Sequence, residues 1–311
     1  MIHILGIRFL QAVMVAVLIG ALTFLLMTVL PGDSAYRIAA GRYGYDMVNS
    51  AAAEAVRAEL ALDQPVIWRF VAWLGDLLTL DLGNSLVTGR PVTDMVAHEL
   101  GSSVRLAIGA VLLSFLMGPP LGILAGLKPK GWLDRGLLLI STATRAIPHF
   151  VLGVILVLIF AVWWVVLPSA GHGSFAHTIL PTVTLALGLA AVSSRVARDA
   201  TVAVTASAYF AFGRLKGLGG ARLFMLHGLR NVGVPVVTYL GVQLVYLIEG
   251  VVVVETLFAW PGIGHGLVHA IVQRDVPMVQ GAALAMGLMF VLLNTFVDLA
   301  NHLIDPRRKD A

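Results

Sequence analysis

Runs of apolar residues decide what this chain can become. A helix crossing a bilayer needs about 20 mostly apolar residues. Such runs stand at Phe9 to Leu30, Val104 to Leu127, Leu133 to Leu167, Ile179 to Val192, Val234 to Val254 and Gly281 to Ile304. The third is too long for one crossing, and Pro148 and Pro168 mark where it breaks. The fourth is short unless it extends toward Arg195, and Pro119-Pro120 predicts a kink in the second. Charged residues make up 12% of the chain, where a soluble domain carries roughly 25%. Half the usual charge cannot coat a water-facing globule, which excludes a soluble enzyme or a disordered chain. The reading is an all-α integral membrane protein of six transmembrane helices. The first run competes with a cleaved signal peptide, whose apolar part is about 7–15 residues. Its greater length and its Leu30-Pro31-Gly32-Asp33 ending favour an uncleaved anchor.

Orientation follows from the basic residues, which gather on cytoplasmic loops. With the N-terminus inside and six crossings, the inner side holds Arg8, Lys128, Lys130, Arg135, Arg195, Arg198, Arg214, Lys216, Arg222, Arg230, Arg307, Arg308 and Lys309. That is 13 of the 21 basic residues, against four acids. Both termini are therefore placed in the cytoplasm of a multi-pass protein. The pI of 9.6 rests on a net charge of only +4, so it reports loop bias rather than nucleic-acid binding.

The chain divides into a tail and first helix (1–32), an extracytoplasmic segment (33–97), a five-helix core (98–304) and a cytoplasmic tail (305–311). The segment after the first helix is mixed in charge. Ala51 to Leu62 has helical composition, and Val66 to Leu80 places Ile67, Phe70, Val71, Leu74, Leu77 and Leu78 at helical spacing. It is too short to bury much core of its own and is expected to pack on the membrane bundle. The longest inner loop, about 198–232, mixes Tyr209, Phe210, Phe212, Arg214, Lys216, Leu218, Phe224, His227 and Arg230 with Gly217, Gly219 and Gly220. A helix–glycine–helix on the membrane surface is shaped to dock a partner. The competing reading is an amphipathic helix lying on lipid headgroups.

Chemistry-bearing motifs are scarce. There are no cysteines, and no G-x-x-x-x-G-K-[ST], G-x-S-x-G or H-E-x-x-H motif occurs. His265 and His269 stand four apart on one helix face, but no acid lies at ligand spacing, so no metal site is assigned. Ionisable residues inside spans are costly and are functional candidates by default. They are Arg145, Glu249, Glu255 and Asp298. Asp298 follows Asn294 by one turn and reads as an inter-helix hydrogen bond. Glu255 precedes the interface break Phe258-Ala259-Trp260-Pro261-Gly262. Glu249 lies deeper and must face protein, water or a partner chain.

Ordered motifs run almost end to end. They include Leu30-Pro31-Gly32-Asp33, the run from Arg57 to Pro65, Asp81-Leu82-Gly83-Asn84-Ser85, Pro120-Leu121-Gly122-Ile123 and Trp132-Leu133-Asp134. Leu167-Pro168-Ser169-Ala170-Gly171, Ile179-Leu180-Pro181, the block from Val253 to Gly264, Arg274-Asp275 and Asp305-Pro306-Arg307 follow. In these motifs the chain resembles the permease subunits of binding-protein-dependent ABC importers, in the dipeptide/oligopeptide/nickel group. The resemblance implies a type I importer fold in a bacterial or archaeal cytoplasmic membrane. Its partners are a homologous second permease, two ABC ATPase subunits and an extracytoplasmic solute-binding protein. ATP and Mg would be bound by the ATPases, with no cofactor in this chain. Peptides are the leading solute, with nickel, a metal chelate or another small solute as alternatives. The resemblance also makes the long inner loop the ATPase-coupling segment, with Phe212, Arg214, Lys216, Gly217, Leu218, His227 and Arg230 at its contact positions. Ala208 stands where the family commonly has an acid. An ATP-independent secondary transporter is a remoter alternative. It would want charged relays in several spans or paired broken helices.

Arg145 departs from the family, which has an uncharged residue just before this Ile-Pro. An arginine at depth costs about 2.5–3.5 kcal/mol on insertion scales. Pro148 should free a backbone carbonyl near Thr144, and His149 should lie one turn beyond Arg145 on a similar face. Arg145 and His149 are therefore expected to line the translocation path with Glu249 and Glu255, and to favour solutes carrying a carboxylate. A structural pair between Arg145 and an acid is the competing reading. Because no segment can cradle phosphates, the purified chain alone should neither bind nor hydrolyse ATP. Turnover by the single chain, free of ATPase subunits, would refute this.

Overall fold

The computed structural model describes residues 2–29, 32–44, 46, 48–59, 64–79 and 81–304. The tail from 305, residues 60–63 of the Arg57 motif and Leu30-Pro31 lie outside the described residues. In chain order the helices are α1 (Ile2–Val29), α2 (Ser34–Tyr43), α3 (Ser50–Glu59), α4 (Val66–Leu78), α5 (Val92–Leu127), α6 (Trp132–Ala146) and α7 (His149–Val157). They continue as α8 (Phe175–Thr205), α9 (Ala208–Leu215), α10 (Gly220–Leu223), α11 (Leu229–Leu257), α12 (Ile263–Gln273) and α13 (Val276–Ile304). Among the described residues, four helices are long and apolar enough to cross a membrane. The total is five if α6 and the α7 stretch to Trp163, bent by 103° at their break, count as one span. The break falls at Pro148, as its sequence position predicts. By contrast, α5 stays helical through Pro119-Pro120, and α8 and α11 do so through Pro181 and Pro235. The fourth apolar run does extend, past Arg195 to Thr205.

The chain forms two compact units, residues 1–103 with 261–292 and residues 104–260 with 293–311. In the first, α2 and α3 close a small core of Ala35, Ile38, Ala39, Ala53 and Val56. Asp33 caps α2 by accepting from the Ala35 N–H at 2.9 Å, and Arg57 of α3 reaches back to Asp33 at 2.7 Å. Arg42 pairs with Glu59 at 2.7 Å; that hydrogen bond holds the Glu59 carboxyl below its ordinary range. The Arg274-Asp275 turn between α12 and α13 is a hub. Arg274 donates to the Gly32 carbonyl at 3.0 Å and to Ser34 at 3.2 Å. Asp275 accepts from the Ser85 hydroxyl at 2.5 Å and from the Leu86 N–H at 3.0 Å. Two buried charges at one turn thus fix the entry to α2 and the loop before α5. Phe24 of α1 meets Phe70 of α4 with ring centroids 5.3 Å apart.

In the second unit, Gly118, Gly122 and Gly126 recur every four residues along α5. A Cβ on Gly118 would strike Ser193 and Ala190, one on Gly122 would strike Ser194 and Ala197, and one on Gly126 would strike Arg198 and Thr201. Without side chains there, the two backbones approach closely. In lipid, such small-residue seams drive helix association because apolar side chains gain little by leaving lipid for protein. The α8 hydroxyls on this seam stay satisfied, Ser194 and Thr201 donating to their own helix at 3.1 and 2.7 Å. At one end of the unit, Asp134 of α6 receives two hydrogen bonds from Arg198 of α8, both 2.8 Å, and one from the Lys130 N–H at 2.7 Å. Around the middle of α8, a core of Leu106, Ala110, Leu156, Leu180, Leu185, Leu247, Val254 and Phe258 joins α5, α7, α8 and α11.

Gly122→Leu should wedge α5 off α8. Overpacking of this kind typically costs about 1–3 kcal/mol, and more where backbone is struck. The expected result is a lowered melting temperature and reduced recovery of the detergent-solubilised protein, while Gly136→Leu, where open space surrounds the glycine, stays near wild type.

Candidate functional site

Two features of the second unit hold most of the residues singled out in the sequence. The first is the segment between α8 and α11. It is anchored by Phe210, Leu223 and Phe224, buried against Ala197, Val204, Val232 and Val236. Two glycines admit those anchors. A Cβ on Gly213 would lie 2.5 Å from Leu223, and one on Gly228 would lie 2.6 Å from Phe224.

The helix α9 ends in a Schellman motif. The Gly217 N–H bonds the Arg214 carbonyl at 2.9 Å and the Leu218 N–H bonds the Gly213 carbonyl at 3.3 Å. That arrangement wants a left-handed residue after the cap, and Gly217 has φ +82°. Nothing lies within 4 Å of a Cβ built on Gly217, so its need is conformational and not steric. The next apolar residue, Leu218, folds back onto the buried cluster. Asn231 of α11 completes the frame, donating to the Tyr209 hydroxyl at 3.1 Å and the His227 carbonyl at 2.7 Å.

This frame leaves Phe212, Arg214, Lys216, Gly217, His227 and Arg230 exposed, with Leu218 half-buried. Arg214 sits over the Phe210 ring at 5.2 Å, and Lys216 over Phe212 at 4.7 Å. Leu215, 85% exposed, lies in the same segment, as do the exposed Met225 and Leu226. Sequence reading missed these three. Their signal was apolar residues beside glycines in a loop rich in charge.

The second feature is a cavity of about 580 Å³. Arg145, Pro148 and His149 line it, with Leu185, Gly188, Leu189 and Val192 of α8 and Tyr239, Gln243, Leu247, Gly250 and Val253 of α11. Arg145 and His149 do share a wall, but not by the expected helical spacing. The helix stops at Ala146 and Ile147 turns extended, so no turn of helix links them. Proline restricts the residue before it to extended backbone, and α7 restarts at His149. The bend, not the helical repeat, brings the two together. A Cβ on Gly188 would lie 2.6 Å from His149 Nε2, so this glycine makes room for the imidazole.

Gln243 is 5% exposed; its Nε2 donates to the Leu189 carbonyl at 3.1 Å, and its buried Oε1 has no partner among the described residues. Neither Gln243 nor Gly188 was legible as a site residue, because neither carries charge. Glu255 is fully buried near the end of α11 and is not among the residues that line this cavity. The side chain of Glu249 lies outside the described residues. In the first unit, the His265 and His269 rings stack edge to face at 4.5 Å. Among the described residues, no three His, Asp or Glu side chains gather to hold a metal.

Long apolar helices and a broken span define a polytopic membrane protein, with an exposed, frame-held segment between α8 and α11. Two family descriptions match the chain. "Binding-protein-dependent transport system inner membrane component" covers residues 118–310, and the corresponding N-terminal region covers residues 1–107. The chain belongs to this family of ABC importer permeases. It is 36% identical to the probable peptide ABC transporter permease protein y4tP of Sinorhizobium fredii, over 96% of this chain and 97% of the relative. It is also 36% identical to the glutathione transport system permease protein GsiC of Pectobacterium atrosepticum, over 96% of both chains. The GsiC protein of Escherichia coli is 35% identical over 93% of both chains.

Since space around Gly217 is open, only its positive φ constrains replacement. Gly217→Val should strain the turn by roughly 1–2 kcal/mol, while Gly217→Asn, whose side chain tolerates left-handed backbone, should be far milder. In the assembled transporter, solute moved per ATP hydrolysed should fall in the valine variant and be largely retained in the asparagine one. Equal coupling in both would show that the turn plays no part.

Proposed function

We propose that this chain is one of two homologous permease subunits of an ATP-driven importer of peptides. The chain is a non-catalytic part of that machine. It crosses the membrane six times, α11 supplying the fifth span and α13 the sixth, with both termini in the cytoplasm and residues 33–97 outside. A solute-binding protein delivers cargo from the outer side. Of two ATPase subunits, holding ATP and Mg, one docks on the face formed by Phe212, Arg214, Leu215, Lys216, Gly217, Leu218, His227 and Arg230 of this chain.

The observation that carries this reading is the α9 turn. A Schellman-capped helix, fixed by buried phenylalanines and by Asn231, presents apolar and basic side chains together to the outside. A lipid-surface helix would bury its phenylalanines in lipid. Here Phe210 and Phe224 are spent on holding the segment rigid against α8 and α11. A rigid segment can transmit a push from a partner to those two helices, which also wall the cavity. Peptide as cargo is supported by the names of the relatives, one for peptides and others for glutathione, itself a peptide.

Reconstitution in proteoliposomes with the second permease, both ATPases and the binding protein tests this. Di- and oligopeptides should accumulate only with ATP inside the ATPase-facing compartment. Uptake without the ATPases would favour a secondary transporter, and uptake of nickel but not peptides would move the assignment to metal import.

A further inference from the structure

We propose that α4 is a membrane-surface anchor, lying in the plane of the bilayer interface at the C-terminal end of α1 with Ile67, Trp68 and Val71 among the lipid acyl chains. The occupant of this exposed face is lipid and not another protein. The inference goes beyond the importer reading above and holds whichever leaflet α1 ends in.

Four observations carry it. First, α4 has 13 residues, mostly apolar, and is too short to cross a bilayer, which takes about 20. Second, its sequence is two-sided. Ile67, Phe70, Val71, Leu74, Leu77 and Leu78 recur at helical spacing, while Arg69 and Asp76 stand seven apart, the spacing of a single strip. Third, the fold covers only part of the apolar arc. Phe70 meets Phe24 of α1, and Phe70 and Leu74 are half-buried. Ile67, Trp68 and Val71 are exposed, Trp68 by 66%. Fourth, the contact with α1 sets a depth. Phe24 stands two residues before Leu26, where the stretch of α1 able to span a membrane ends. At 1.5 Å per residue that is about 3 Å along the helix axis. An interfacial helix buries its apolar face about 5–10 Å into the boundary between headgroups and acyl chains. Tryptophan is favoured at that level, because its ring is apolar and its N–H polar. Near the same point α1 leaves Leu22, Leu25 and Leu26 exposed, as a lipid-facing span does. A soluble partner that comes and goes would leave Ile67, Trp68 and Val71 in water between encounters, whereas lipid covers them throughout.

The sequence holds no cysteine, so a single introduced one is unique. Ile67→Cys, Val71→Cys and Ala72→Cys each receive a nitroxide, in the complex that co-purifies with this chain, reconstituted in vesicles of phosphatidylcholine and phosphatidylglycerol. Ala72 stands four residues before Asp76 and so on its strip. Power saturation compares collisions with oxygen, which concentrates among acyl chains, and with a water-soluble nickel chelate, which stays outside them. The ratio of oxygen to nickel access should be at least about fivefold higher at positions 67 and 71 than at 72. A ratio equal to that at 72 puts the face in water and overturns the proposal. Low access to both reagents with an immobilised spectrum puts the face against another subunit and also overturns it. Added solute-binding protein should leave the ratios unchanged, and protection of 67 and 71 by it would make the face that protein's seat instead. A second measurement avoids the label. The emission lost in Trp68→Phe is that of Trp68, and it should fall by at least about half when brominated phosphatidylcholine replaces the ordinary lipid. An unquenched difference overturns the proposal.

Discussion

Close approach of the α5 and α8 backbones is the constraint on which the second unit depends. Water cannot drive two apolar helices together inside a bilayer, so contact must come from shape and from polar groups. Gly118, Gly122 and Gly126 supply the shape. The α8 face they admit is made of Ala190, Ser193, Ser194, Ala197 and Thr201, small residues whose hydroxyls bond within their own helix. With α8 fixed in this way, its other face can carry the cavity wall, and its end can carry Arg198 and the segment that follows.

The same helix therefore joins both functional features. Leu185, Gly188, Leu189 and Val192 line the cavity, and Ala197 and Val204 pack under the anchors of α9. On the opposite wall, α11 repeats the pattern, with Gln243 and Leu247 at the cavity and Val232 and Val236 under Phe210 and Phe224. A displacement of the anchored segment must be felt by α8 and α11, because both are held to it by tight apolar packing and not by a loose tether. In the proposed function, that packing would carry the coupling. The asymmetry between glycines is instructive. Gly213 and Gly228 are needed for space, Gly217 for its backbone angle, and a single substitution rule cannot cover all three.

Much of this was legible in the chain. Apolar runs marked the long helices, Pro148 marked the break in the overlong run, and the order of short motifs marked the family. The Gly217 turn was legible as a helix stop, since glycine after a basic last turn is a stop signal. The seam at Gly118, Gly122 and Gly126 was present as a repeat of four but acquires meaning only beside the residues of α8. Arg274-Asp275 was legible as a motif and not as a hub, because its partners Gly32, Ser34, Ser85 and Leu86 lie far away in sequence.

Arg145 and His149 show where reading the chain stops. Their spacing of four suggested one helical face, and they do share a wall, yet the helix ends between them. Composition and periodicity determined that the chain is helical and membrane-embedded, because lipid permits few other ways to satisfy a backbone. Tertiary structure alone decided which polar side chains meet. The bend before α7 brings Arg145 and His149 to one cavity, and the packing of α8 on α11 pairs Gln243 with the Leu189 carbonyl. Those meetings depend on the angles and distances between helices, which are set by packing and not by the order of residues along any one of them.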